Sequence, residues 1–565
     1  MSVLSLGISC NHDAGVALLR RNQIVFAANE ERFTRRKFDF GFPTNAFAEA
    51  LRHCEFEEID LVTFDGRMQT PHPSKVNLVF ADKSAISKLA ESDVLARNFF
   101  GTNLGVALSR ALLRLSTQPF RTHYRRRIRD RGVTSRVSYA EHHQAHAASS
   151  SLLFGARDGL AITVDAFGEG ICAGTWRLRD GFPTRHSTVP GFHSVGMLYL
   201  YVTKLLGFKP GQEGKVTGLA GHGDGEAVKQ LLLRLINYDQ GKRRFVNLGL
   251  GYGSPALTRL SAALHGFDMA DIAAGVQSTL EELVMRYVAD ALQVCNLENP
   301  ALFLGGGVFA NVSLNRRIAE ELPVRSVAVA PNMGDGGLAL GAALLNHDER
   351  IEFQNLYLGT DISPTVTTVA RDLWLKVSEV FVNDLPTAVS EFLADGLVVA
   401  VSRGRMEYGP RALGNRSILA RASVTNINDS LNKRLKRTEF MPFAPIVRDV
   451  DAEKYFVLTQ PRWAYENMTT TCAVREITRS EAPAIVHVDG TARPQILTRE
   501  RNPFVYDTLS AYARRTGSGV LVNTSFNIHE EPIVRDAETA IRSFLESQLD
   551  ALVLENRLFR PTKVG

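Results

Sequence analysis

Cysteine is scarce in this chain, with five residues in 565, at positions 10, 54, 172, 295 and 472. The number is odd and no two form a CxxC pair. That excludes a disulfide framework and a cysteine-based zinc site, and it predicts a reducing, cytoplasmic setting. No apolar run approaches the roughly 18 residues of a membrane-spanning helix. The opening stretch Met1-Ser2-Val3-Leu4-Ser5-Leu6-Gly7 carries no basic residue and too short an apolar run for a secretory signal. Charge of one sign is lacking as well: 65 Lys and Arg against 60 Asp and Glu leave +5. A balance so close to neutral weighs against an extended nucleic-acid surface. The glycine-rich stretch Glu213 to Asp224 does not fit GxxxxGK[ST], so it is not a P-loop. What is present is ordinary for a globular protein, 45% hydrophobic and 22% charged, in a chain too long for one core.

The stretch around which the rest is organised is Glu141-His142-His143-Gln144-Ala145-His146-Ala147. It follows a strand-like run and opens an alanine-rich helix. His142 and His146 are four apart, so a helix puts both imidazoles on one face, where they can share a divalent metal. A buried helical pair without metal is the simpler reading of this motif alone, because two ligands do not complete a site. Carboxylates at strand ends supply the missing half. Leu160 to Asp165 reads as a strand ending in an acid, and Asp335 follows the strand Ser326 to Ala330 and opens a helix. Such positions carry metal and phosphate ligands in open α/β sheets, although Asp335 can equally be a helix cap.

In chain order, Val3–Ser9, Val16–Leu19 and Gln23–Ala28 read as three strands. The turn between the first two holds His12-Asp13, a candidate acid/base or substrate-orienting pair, in a loop able to cradle phosphate or to be a plain hairpin. Thr44 is the expected cap of a helix, and Ile59–Phe64 a strand. Residues 70 to 132 read as an inserted helical segment with a basic cluster at Arg121, Arg125, Arg126, Arg127, Arg129 and Arg131; a solvated helix face is its simplest reading. The strand–acid–glycine–strand unit at Leu160 to Trp176 is the second of its kind and predicts an internal duplication. Leu302 to Asn311 is strand, triple glycine (Gly305, Gly306, Gly307) and helix start, a pattern that favours close approach of an anion. The pattern breaks near 350–365, which predicts domains 1–360 and 361–565. The second of these gathers arginines in glycine and proline turns, as expected for a small polyanion.

Taken together, these stretches resemble the NodU/CmcH family of ATP-dependent O-carbamoyltransferases. The resemblance rests on GISCNHDAGVAL (7–18), EHHQAHAAS (141–149), ITVDAFGEG (162–170), EGKVTGLAGHG (213–223), FLGGGVFANVSLN (303–315), PNMGDGGLALGAAL (331–344), GRMEYGPRALGNRSILA (404–420), RTEFMPFAP (437–445), HVDGTARPQ (487–495) and NTSFNIHEEPIV (523–534), in that order. It implies an α/β chain with an actin-like ATPase domain followed by a YrdC-like domain. In the first, His142, His146, Asp165 and Asp335 would hold one divalent metal, with iron expected, although the donor set also suits manganese or zinc. The nucleotide would lie near Gly305, Gly306, Gly307 and Asn311. His12 would be the general base, with Asp13 or Asp224 orienting it. In the second, Arg411, Arg416, Arg437, Arg493, Asn523, Ser525 and Asn527 would line a pocket forming carbamoyl-adenylate from carbamoyl phosphate and ATP, with Mg2+. The acceptor would be a small hydroxyl compound, with no nucleic acid or membrane partner; a homodimer is compatible. Many relatives carry Lys two residues before the arginine at 437, where this chain has Leu435 and places its lysine at 436. The alternative functions are a threonylcarbamoyl-type tRNA-modifying enzyme, an actin-like sugar kinase with an accessory domain and a non-catalytic metal-binding scaffold.

Overall fold

The structure is a computed structural model, and it describes residues 4–55, 58–66, 101–347, 349–437 and 440–562. The chain divides into two compact units, Met1–Val25 with Phe38–Phe353, and Phe26–Lys37 with Gln354–Gly565. The main division thus falls a few residues before the 360/361 expected from the sequence, and a short N-terminal segment is grouped with the second unit.

The first unit contains two five-stranded sheets, apart from Phe26–Asn29 at the end of one strand, which are grouped with the second unit. One is built from β1 (Leu4–Ser9), β2 (Gly15–Arg20), β3 (Gln23–Asn29), β4 (Ile59–Phe64) and β5 (Arg136–Tyr139), in the order β3-β2-β1-β4-β5. The other uses β6 (Leu160–Gly168), β7 (Ile171–Arg179), β8 (Phe182–Pro190), β11 (Ala301–Gly305) and β12 (Ser326–Val329); a separate hairpin, β9 (Ile236–Asp239) and β10 (Arg244–Asn247), lies between β8 and β11 in sequence. Its order, β8-β7-β6-β11-β12, repeats the first. In both, the leading strand runs antiparallel to the next and parallel to the fourth, and the fourth and fifth are parallel. One topology therefore occurs twice, as the repeated sequence unit suggested. The core of the second half packs Leu160, Ile162, Leu302 and Leu304 with Val276, Leu283 and Val284 of the long helix Met269–Cys295. Burial of these side chains removes apolar surface from water at about 25 cal/mol per Å2.

Small residues bring the central helices close. Helix Leu338–Leu344 packs between β1 and helix His142–Ser151. A Cβ on Gly7 would lie 1.9 Å from the Ala339 carbonyl oxygen, and one on Gly341 1.9 Å from that of Ala145. Only glycine permits these approaches.

Thr44 is not the cap expected of it. It is the first residue of helix Thr44–Ala50, behind Pro43, and its hydroxyl donates back to the Phe42 carbonyl (3.2 Å). Of the segment 70 to 132, residues 67–100 lie outside the described part, and helix Asn103–Arg129 follows. Its basic end packs on aromatic faces, Arg121 4.5 Å from the Tyr139 ring centre and Arg127 4.9 Å from that of Phe42. Such cation–π packing anchors the helix. Among the described residues no helix is long and apolar enough to cross a membrane.

The second unit is built on an eight-stranded mixed sheet. Its strands are β13 (Val377–Val380), β14 (Val399–Ser402), β15 (Arg416–Arg421), β16 (Ala444–Arg448), β20 (Gln495–Leu497), β21 (Val520–Ser525), β22 (Ala551–Leu554) and β23 (Arg557–Pro561). The order is β13-β23-β22-β14-β15-β21-β16-β20. A small sheet joins β17 (Phe456–Val457), β18 (Cys472–Val474) and β19 (Thr491–Ala492). Both faces are covered. Ile418, Ala420 and Val522 pack with Phe544 in one core, while Leu419 and Leu521 pack with Leu509 in another. The alternation along β15 and β21 is the period of a strand buried on both sides.

Candidate metal centre and arginine pocket

Helix His142–Ser151 starts at Glu141, whose extended backbone turns the chain from β5 into the helix. The four-residue spacing then sets His142 and His146 side by side, ring centres 4.8 Å apart. The Asp165 carboxylate, near the end of β6, lies 3.7 Å from His142 Nε2 and 3.2 Å from His146 Nε2. Asp335 Oδ1 is 3.5 Å from each of the same two nitrogens. Asp335 does not cap its helix; Gly334 holds that place and the carboxylate faces the histidines. One ligand atom from each of the four residues lies within 4.8 Å of the others. Close packing fixes the array: a Cβ on Gly168 would strike the His142 ring, and one on Gly307 would lie 3.1 Å from Asp165 Oδ1. The glycine triplet is therefore wrapped against this cluster.

Two buried imidazoles and two carboxylates are a donor set for a divalent metal. The residues present fit one: His142 Nε2 is buried with no hydrogen-bond partner among the described residues, yet it faces two carboxylates. Burial alone would depress His142, and Asp335, Asp165 and Asp65 reverse this, raising its pKa to about 9. Burial opposes ionisation of Asp165 too, and the adjacent His142 and His146 imidazoles overcome that and hold it well below the usual carboxylate range.

At the rim, His12 bonds Asp13 through Nδ1 (3.1 Å) and faces Asp335 Oδ2 through Nε2 (3.1 Å). Its side chain is 60% exposed, and Asp335 is the main cause of an upward pKa shift. Asp224 is not beside it. It is exposed, takes the Asp271 carboxylate on its own backbone N–H, and accepts from Glu226 N at the start of helix Glu226–Leu235. Asn311 caps helix Val312–Glu321 through Leu314 N (3.1 Å) and forms a two-bond amide pair with Gln277.

A further acid here was not anticipated. Asp65, fully buried just after β4, accepts from Cys10 N (3.3 Å) and Asn11 Nδ2 (2.8 Å). It holds the loop that carries His12, and burial raises its pKa to about 6. The signal was Phe64-Asp65-Gly66, a strand–acid–glycine run like that at Asp165.

In the second unit, Arg437 donates to the Ser525 carbonyl (2.8 Å), Ser525 Oγ (3.1 Å), the Asn527 carbonyl (2.8 Å) and Asn527 Oδ1 (2.7 Å). Arg411, Arg437 and Arg493 are half-buried. Arg416 is placed differently. It is fully buried, and its guanidinium donates to the carbonyls of Arg403, Asn415, Thr360, Gly404 and Arg535. Glu407, also unanticipated, gathers the N–H groups of Leu413, Asn415 and Arg416 on one oxygen. Lys436 points to the surface and pairs with Glu546 (2.8 Å).

The family model for the carbamoyltransferase N-terminus matches residues 4–344, and that for the carbamoyltransferase C-terminus matches 390–560. The chain belongs to the carbamoyltransferase family. It is 33% identical to an uncharacterised protein of Methanocaldococcus jannaschii, over 99% of this chain and 100% of that one. It is 30% identical to nodulation protein NolNO of Sinorhizobium fredii, over 97% of this chain and 79% of that one. The 3'-hydroxymethylcephem-O-carbamoyltransferase of Streptomyces clavuligerus is 30% identical over 61% of this chain and 64% of its own length.

Proposed function

We propose that this protein is an ATP-dependent O-carbamoyltransferase that activates its carbamoyl group as an adenylate and passes it to a hydroxyl of a small-molecule acceptor. The observation that carries the reading is the cluster of His142, His146, Asp165 and Asp335 with His12 at its rim, in a chain matched by both parts of the carbamoyltransferase family. The twice-repeated five-stranded topology supports an actin-like ATPase reading of residues 1–360, with nucleotide near Gly305–Gly307 and Asn311. Residues 361–565 would be the YrdC-like, adenylate-forming part.

In the first reaction, water and carbamoyl phosphate give carbamate and phosphate. A carbamate oxygen attacks the α-phosphorus of ATP, and pyrophosphate leaves. Arg411, Arg437 and Arg493 would hold the phosphoryl oxygens as charge builds. In the second, the acceptor hydroxyl attacks the carbamoyl carbon and AMP leaves. His12 would take the hydroxyl proton, with Asp13 beside Nδ1 and Asp335 beside Nε2 stabilising the imidazolium that forms. A divalent ion bound by the four-residue cluster would supply Lewis acidity to the transferring group.

The test is release of pyrophosphate and AMP from purified protein given Mg2+ and ATP, with and without carbamoyl phosphate, before any acceptor is added. Pyrophosphate that depends on carbamoyl phosphate is expected. ADP in its place would turn the reading into a kinase.

A further inference from the structure

Three segments of the second unit, two of them bearing an arginine, meet at a pair of buried amides. Arg411 leads into Ala412 and Leu413, Arg493 stands two residues before Gln495, and Asn523 lies two residues before Ser525 on one face of β21. Asn523 and Gln495 are each 2% exposed. Asn523 Nδ2 donates to the Ala412 carbonyl (3.1 Å) and to Gln495 Oε1 (2.8 Å). Gln495 Nε2 donates to the Leu413 carbonyl (2.8 Å).

These bonds settle which way each amide faces. A backbone carbonyl only accepts, so the nitrogen of Gln495 must lie on Leu413 and that of Asn523 on Ala412. The oxygen of Gln495 must then face Asn523 and take its second N–H. Neither amide can turn over without opposing oxygen to oxygen. Asn523 Oδ1 is left buried with no partner among the described residues. An acceptor in that state is expensive to bury and calls for a donor.

We infer that Gln495 is a positioning residue that locks Asn523 as an obligate acceptor, and that the pocket thereby selects an acyl phosphate whose acyl group carries N–H. This rests on the adenylating reading above and deepens it. The carbamoyl group ends in NH2, and the acetyl group has the same shape with a methyl in that place. A site built around a fixed hydrogen bond rejects the analogue that lacks it far more strongly than shape alone can. Ser525, at the end of the same strand, and Arg437, which donates to it, would hold the phosphoryl side while Asn523 reads the amide side.

The experiment measures pyrophosphate release by the full-length protein with carbamoyl phosphate and with acetyl phosphate. Wild type is expected to prefer carbamoyl phosphate by about 100-fold or more. Gln495→Met removes the oxygen opposite Asn523 Nδ2 and should cut that preference about tenfold, with the KM for ATP held within about threefold. Equal use of the two acyl phosphates by wild type overturns the inference without any variant. So does a Gln495→Met protein whose KM for ATP rises while its preference stays intact, which would give Asn523 to the nucleotide. A wild-type protein releasing no pyrophosphate with either compound fails at the earlier step, and both the adenylating reading and this inference fall together.

Discussion

Asp335 divides its carboxylate: Oδ2 lies 3.1 Å from His12 Nε2, and Oδ1 lies 3.5 Å from both His142 Nε2 and His146 Nε2. One side chain thus joins the exposed His12 to the buried imidazole pair. Asp335→Asn keeps the shape and replaces one oxygen by a donor. It should lower divalent metal affinity by at least about tenfold, read as metal retained per chain after dialysis. Pyrophosphate release should persist. Full metal retention by the variant would place the ion elsewhere.

His12 stands apart from the four clustered ligands because its ring is open to solvent and its Nδ1 is held by Asp13. His12→Asn should therefore abolish carbamoyl transfer to an acceptor, by about 100-fold or more, and leave acceptor-free pyrophosphate release unchanged. Equal loss of both half-reactions would remove His12 from the role of base.

These expectations depend on residues that differed in how readable they were. β4, Ile59–Phe64, was readable to its ends because an apolar, β-branched run bounded by polar residues has one local solution. The HxxxH pair and Asp165 were readable because helix and strand periods place them. Arg416 was not, since spacing reveals an arginine in a turn but not whether its guanidinium faces a ligand or its own chain's carbonyls. Glu407 was hidden for the same reason. Asp224 carried an acid in a glycine-rich run, a pattern that a helix start satisfies equally well. The grouping of Phe26–Lys37 with the second unit has no local signature, because it arises from contacts such as Arg32 to the Gly409 carbonyl, 377 residues away.

Arg416 provides a sharp contrast with the other arginines. Its two terminal nitrogens donate to five backbone carbonyls inside the second unit. Arg416→Met would leave those acceptors and the buried Glu407 carboxylate uncompensated. A loss of about 3–5 kcal/mol of stability is expected, read as a shifted denaturation midpoint or rapid proteolysis. Arg416→Lys should not rescue it, since one ammonium cannot reproduce a planar fork. A variant with an unshifted midpoint and a raised KM for ATP would return Arg416 to the pocket.

His487 makes the stability of the second unit depend on pH. Its Nδ1 lies 3.0 Å from Thr491 Oγ1, and that hydroxyl donates to Asp489 Oδ1 (2.7 Å), so the ring is held as a neutral donor. Burial and then Arg493 lower its pKa to about 4, while Asp489 opposes them. The unfolded chain, with an ordinary value near 6.5, binds this proton first as pH falls. The unfolded state therefore gains protons that the fold does not take up between pH 6.5 and about 4, and stability falls by up to about 1.4 kcal/mol per pH unit from this residue. Above pH 6.5 the residue is neutral in both states and has no effect on the slope. His487→Gln, which cannot be protonated, should lose less of its melting temperature than wild type between pH 7 and pH 5. Parallel losses in the two proteins would show that another group carries the acid sensitivity.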